Sequence, residues 1–173
     1  MIFNVNDTIL YGTHGVCRIA EISERDFGEK GMEYYILKPL GDDKATLFVP
    51  VSNEKLLAKM RRVLTAAEIY ELIKAMPDEE TIWVENETNR KEKYKEILTS
   101  GNRKNLIQLV KTLYRHQGEQ KEKGKKLHIS DERFMKDAER MLYAEFAHVL
   151  DIQYEQVLPF IMEELEVEEK IQV

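Results

Sequence analysis

Twelve of the 26 Lys and Arg residues fall in 84–128 against six acidic residues, a local balance of +6 in a chain whose net charge is -6. Arg90, Lys91, Lys93 and Lys95 lie within six residues of one another, and Arg103, Lys104, Lys111 and Arg115 follow. Cations at this density can neutralise phosphates, releasing counterions and giving salt-dependent, sequence-tolerant affinity for nucleic acid. The same residues also fit a solvated helix face, with Glu92 and Glu96 offsetting part of the charge through i, i+4 pairs. Lys121, Lys123, Lys125 and Lys126 read as a charged loop. Trp83, the only tryptophan, has two roles open to it. It can cap a helical core, or present an exposed ring that stacks on or wedges between bases.

Enzyme chemistry finds little support. His14, His116, His128 and His148 are the four histidines; none is four residues from another, and no His-Glu-x-x-His pattern occurs. Cys17 is the single cysteine, too few thiols for a disulfide framework or a Cys-rich zinc site. It sits in a strand-like run, where a thiol behaves as a small hydrophobe. Gly12-x-x-Gly15 lacks the Lys-Ser/Thr that completes a phosphate loop. The reading is a non-enzyme with no cofactor and no metal.

The remaining composition fits that reading. Charged residues make up 34% and hydrophobic ones 43%, and no 20-residue apolar span suggests a membrane helix. The N-terminus shows no basic segment followed by an apolar run, so no signal peptide is expected. We expect a soluble, cytoplasmic monomer. Residues 129–173 carry a balance of -8.

A change of period divides the chain. Thr8-Ile9-Leu10-Tyr11, Val16-Cys17-Arg18-Ile19-Ala20, Glu33-Tyr34-Tyr35-Ile36-Leu37-Lys38 and Ala45-Thr46-Leu47-Phe48-Val49-Pro50 read as short antiparallel strands separated by glycine-bearing turns. Four or five such strands in fifty residues suit a small, strongly bent half-barrel. Pro50 cannot donate to a ladder, which puts the fourth strand at its end or at a sheet edge. Residues 53–64 are expected to be a linker.

From Leu64 the period is helical. Thr65-Ala66-Ala67-Glu68 has the form of a capping box, with Ile69, Leu72, Ile73 and Met76 as an apolar stripe. A second helix is expected over 88–98, closed by Gly101, where a C-cap needs positive φ. A third carries Leu106, Leu109, Val110, Leu113 and Tyr114, before a lysine-rich loop over 118–128. Ser130 is the expected N-cap of a fourth helix, with Ile129 and Phe134 as a hydrophobic staple. A fifth helix runs near 153–167 and tolerates Pro159 if it starts near Val157. The fold class is therefore α+β: a β module over 1–60 and an all-α domain of about five helices over 61–173.

Met1-Ile2-Phe3 with Asp7-Thr8, then Tyr11-x-x-His14-Gly15-Val16, resembles the start of the CarD/CdnL family of bacterial RNA polymerase-binding regulators. The resemblance continues through Glu33 to Lys38, Val49-Pro50, Tyr94-Lys95, Ser100-Gly101 and Leu109-Val110-Lys111-Thr112-Leu113-Tyr114-Arg115. It implies an N-terminal Tudor-like, SH3-type module that binds the polymerase β subunit, and a helical domain that contacts promoter DNA at the upstream edge of the bubble and stabilises the open complex. Such binding is similar to β-augmentation, in which an edge strand extends a partner's sheet. Thr46, Leu47, Phe48 and Val49 form the edge the resemblance points to. Arg25 matches a basic residue used against the β subunit, whereas the family's second arginine falls on Phe48.

On the DNA side, many relatives carry a tryptophan wedge four residues before the tyrosine of the Tyr-Lys pair. The matching position here is Arg90, and Trp83 lies eleven residues before Tyr94. We expect Arg90, with Lys91, Lys93 and Lys95, to reach the minor groove and phosphate backbone, since narrow grooves attract cations; the alternative is Trp83 arriving from a differently shaped loop. An accessory nucleic-acid-binding protein that acts on RNA or DNA architecture without polymerase is the reading from another class.

Overall fold

The computed structural model describes residues 2–28 and 30–171. The chain divides into two compact units, Met1–Leu64 and Thr65–Val173.

The first unit is an open antiparallel sheet of β1 (Thr8–Tyr11), β2 (Val16–Glu24), β3 (Glu33–Pro39), β4 (Leu47–Pro50) and β5 (Met60–Arg62), in spatial order β4-β3-β2-β1-β5. A short helix, α1 (Glu54–Leu57), precedes β5. Gly15 joins β1 to β2 at φ 74°, a conformation that costs an ordinary L-residue. The β2–β3 register shifts between Ile19 and Glu21. That bulge switches which positions of β2 face inward, so Cys17 and Ile19 point to the core before it and Ile22 after it. Ile9, Cys17, Ile19 and Leu37 are fully buried there, with Val49 and Tyr35 beside them.

One expectation for this unit is corrected. Residues 53–64 are not a linker: α1 and β5 lie within them, and β5 pairs with β1 through Ile9–Arg62, Leu10–Arg61 and Tyr11–Met60. Three residues are too short for periodicity to reveal, and β5 is a strand only because β1 offers it an open edge. A boundary at residue 60 would cut through it.

The second unit holds α2 (Ala66–Ala75), α3 (Glu87–Ser100), α4 (Arg103–Glu122), α5 (Ile129–Leu150) and α6 (Tyr154–Ile171). The capping box at Thr65 and Glu68 is formed in both directions. Gly101 closes α3 at φ 60°, as the C-cap rule requires. The central helix α5 packs against α3, α4 and α6, burying Met135, Ala138, Leu142 and Phe146.

Three helix ends differ from expectation. α4 runs through Gly118 to Glu122; one glycine costs about 1 kcal/mol, and the helix continues past it with the Arg115–Glu119 pair at 3.4 Å spanning the site. α5 starts at Ile129 with His128 as an N-cap that makes no side-chain bond. Ile129 is 79% exposed and forms no staple, while Phe134 packs edge-on against Tyr94, centroids 5.8 Å apart. α6 begins at Tyr154, so Pro159 lies beyond its first turn. The carbonyl left without a partner, that of Glu155, lies on the exposed side of the helix, where water can satisfy it.

Candidate functional site

Each unit presents a surface on which sequence-identified residues meet. In the sheet, β4 is one of the two edge strands, with β5 at the opposite edge. The Val51 amide donates to the Glu33 carbonyl at 2.9 Å, and the register pairs Val49 with Tyr35, Phe48 with Ile36 and Leu47 with Leu37. Antiparallel rungs alternate. Val49 and Leu47 therefore bond inward to β3, and the N–H and C=O of Phe48 point to the open edge. Pro50 offers the edge only a carbonyl. Val49 is 1% exposed and belongs to the core, whereas Phe48 is 41% exposed. Thr46 lies just before the strand, where its hydroxyl accepts a bond from Lys38 Nζ.

The outer face of this edge is aromatic. Phe27, in the β2–β3 loop, packs against Tyr34 at 5.3 Å and Phe48 at 5.0 Å between centroids, both edge-on. Arg25 falls on the same face as Glu21 by strand alternation and donates to its carboxylate at 2.9 Å. The expected cation is present, and its charge is shared with a neighbour. Phe27 was not singled out by sequence; a lone aromatic between Asp26 and Gly28 in a hairpin loop was the available signal.

In the helical unit, three side chains from α3 and α4 hold the segment between α2 and α3. Lys111 Nζ donates to the carbonyls of Met76 at 3.1 Å, Pro77 at 2.6 Å and Glu79 at 2.7 Å. An ammonium has three protons, so these carbonyls occupy Lys111 fully. The Thr112 hydroxyl accepts from the Ile82 amide at 2.8 Å and donates to the Gln108 carbonyl at 2.6 Å. Arg90 Nη1 donates to the carbonyls of Val84 at 3.0 Å and Glu85 at 3.2 Å.

Arg90 also grips Asp131 bidentately, Nε to Oδ1 at 2.9 Å and Nη2 to Oδ2 at 3.1 Å. Arg90 is 3% exposed and Asp131 is 0% exposed. This overturns the expectation of a groove-facing Arg90. The buried stripe of α3 runs Arg90, Tyr94, Ile97, and a buried carboxylate on α5 supplies the partner without which a buried guanidinium would be prohibitive. A second fork, Arg103 Nη2 to Glu145 Oε1 at 2.6 Å, ties α4 to α5 in the same way.

Trp83 stands where the fork leaves room. The half-buried indole stacks on His116 with centroids 3.7 Å apart and 24° between planes. The Arg90 guanidinium carbon lies 4.5 Å from its ring centroid. The indole borders an open cleft with Arg115, His116, Glu119 and Lys123. Of the remaining cations, Lys91 pairs with Glu87 at 2.7 Å, which holds that carboxyl below its ordinary value. Lys95, exposed, is four residues from Lys91 and shares its side of α3; Lys93, also exposed, lies round on the other flank. The run is not one patch. Nothing in the spacing of the histidines singles out His116; its place beside Trp83 depends on α4 packing, which no local signal reports.

Among the described residues no three His, Cys, Asp or Glu side chains are grouped to hold a metal, and no helix is long and apolar enough to cross a membrane. Two family models match the chain: the CarD-like/TRCF RID domain over residues 3–64 and the CarD C-terminal domain over residues 68–162. They meet at the division between the two compact units. The chain belongs to the CarD/CdnL family of RNA polymerase-interacting, non-enzymatic transcription regulators.

Proposed function

We propose that this protein binds the RNA polymerase β subunit through the open edge of β4 and contacts promoter DNA at the upstream edge of the bubble through Trp83, so lengthening the life of the open complex. The observation that carries the polymerase half is the outward N–H and C=O of Phe48 on the terminal strand of the sheet, a ready template for strand addition. Arg25 supports the contact from the same face.

On the DNA side the reading rests on Trp83 rather than Arg90. An indole held on one side by polar groups and open on another can insert at a base step, with the unstacking cost offset by contacts to the deformed duplex. Lys91 and Lys95 from one side of α3, and Lys93 from its other flank, are the cations that would contribute phosphate contacts. The test is the lifetime of open complexes formed by cognate polymerase with and without the full chain. Lengthening that is lost with Trp83→Ala supports the reading. Retention of full effect by that variant would remove Trp83 from the role. Failure of the full chain to retain β subunit at moderate salt would favour the accessory nucleic-acid-binding alternative.

A further inference from the structure

The proposed docking edge carries chemical information about the strand that would occupy it. Of the β4 residues, Phe48 alone turns both a donor and an acceptor outward, because Leu47 and Val49 bond to β3 and Pro50 has no amide hydrogen. A strand added here must form its closest pair of backbone bonds with Phe48. In an antiparallel pair, the side chain directly opposite projects from the same face, with Cβ atoms about 4.5–5.5 Å apart. The partner's paired residue therefore arrives beside the Phe48 ring.

That ring is not alone. Phe27 packs edge-on against it at 5.0 Å and against Tyr34 at 5.3 Å, yet Phe27 remains 60% and Phe48 41% exposed. Two large exposed rings held against each other on a strand edge lose area to water that a third apolar group would cover. The cations on this face are already engaged: Arg25 donates to Glu21 at 2.9 Å, and Lys38 donates to the Thr46 hydroxyl. Apolar contact, rather than charge, is what this surface offers most of.

We propose that the Phe27–Phe48 pair selects an aliphatic or aromatic side chain at the β-subunit position paired directly across from Phe48. The proposal rests on the reading that β4 takes up a strand of the polymerase. It makes Phe27 and Phe48 specificity-determining residues for that contact.

The experiment measures binding of the full chain and its variants to cognate polymerase, alongside thermal melting of each variant. Phe48→Ala keeps the edge amide and removes the ring; Phe48→Pro removes both; Phe27→Ala removes the second ring from a loop. The expected result is a loss of at least tenfold, about 1.4 kcal/mol, for each alanine variant, near-complete loss for Phe48→Pro, and retention by Phe48→Leu. If Phe48→Ala lowers the melting temperature, Phe27→Ala, whose ring is the more exposed, decides. Alanine variants that bind like the parent while Phe48→Pro does not would overturn the ring contact and leave edge docking standing. If Phe48→Pro also binds like the parent, the docking reading itself fails and the proposal with it.

Discussion

The Arg90 guanidinium lies 4.5 Å from the centre of the Trp83 ring while its fork holds Asp131 on α5 and its Nη1 donates to the carbonyls of Val84 and Glu85. One side chain thus ties down the segment that carries the indole, braces the ring itself and joins two helices. Trp83 and Arg90 are seven residues apart in sequence and neighbours in space.

Arg90→Ala is expected to destabilise the protein by about 3–5 kcal/mol, because it strands the Asp131 carboxylate in the interior. Denaturant unfolding with constant slope measures this. A paired replacement, Arg90→Met with Asp131→Leu, should lose less than either single change. A fully stable Arg90→Ala variant would remove the structural role assigned to the fork.

Trp83→Ala should cost less stability than Arg90→Ala, since the indole is half-buried and its stacking on His116 is worth about 0.5–1.5 kcal/mol beyond area burial. Its open-complex effect should fall much further than its stability. Comparing melting temperature with open-complex lifetime separates the two. A large melting shift with unchanged lifetime would return Trp83 to a purely structural role.

Arg25→Glu is expected to weaken polymerase binding severalfold, because it reverses a charge beside Glu21 and leaves two carboxylates at the docking edge. The weakening should shrink as salt is raised. Titration at low and high ionic strength checks both; equal affinity of variant and parent at low salt would exclude a charge contact at Arg25.

Alkaline conditions should unfold the protein through its tyrosines. Burial pushes the hydroxyls of Tyr94 and Tyr114 up to about 12, and that of Tyr143 is raised further in the same direction. The folded state keeps protons that the unfolded chain releases near the ordinary tyrosine value. This stabilisation is complete below pH 10 and is lost as pH rises from about 10 towards 12. Stability measured across that window should fall more steeply for the parent than for Tyr94→Phe.

The elements were legible because their signals are local. Alternation marked β1 to β4, the Thr65–Glu68 capping box marked α2, and Gly101 marked the end of α3; each depends on residues within a turn or a strand of one another. The motifs also carried the family. The helix ends at Ile129 and Pro159 escaped, since staple and proline preferences are outweighed by packing along α5 and α6. What tertiary structure alone decided is the role of each charge and ring. Arg90 and Lys95 are equal entries in a count of cations, but Asp131, 41 residues further along, makes burial of the first affordable and nothing does so for the second. Strand β5 exists because β1 presents an unpaired edge, and Phe48 faces outward because Leu47 and Val49 are spent on β3. Periodicity reports how a segment lies against an apolar surface; which group satisfies a buried charge or an open backbone bond depends on partners that only folding brings near.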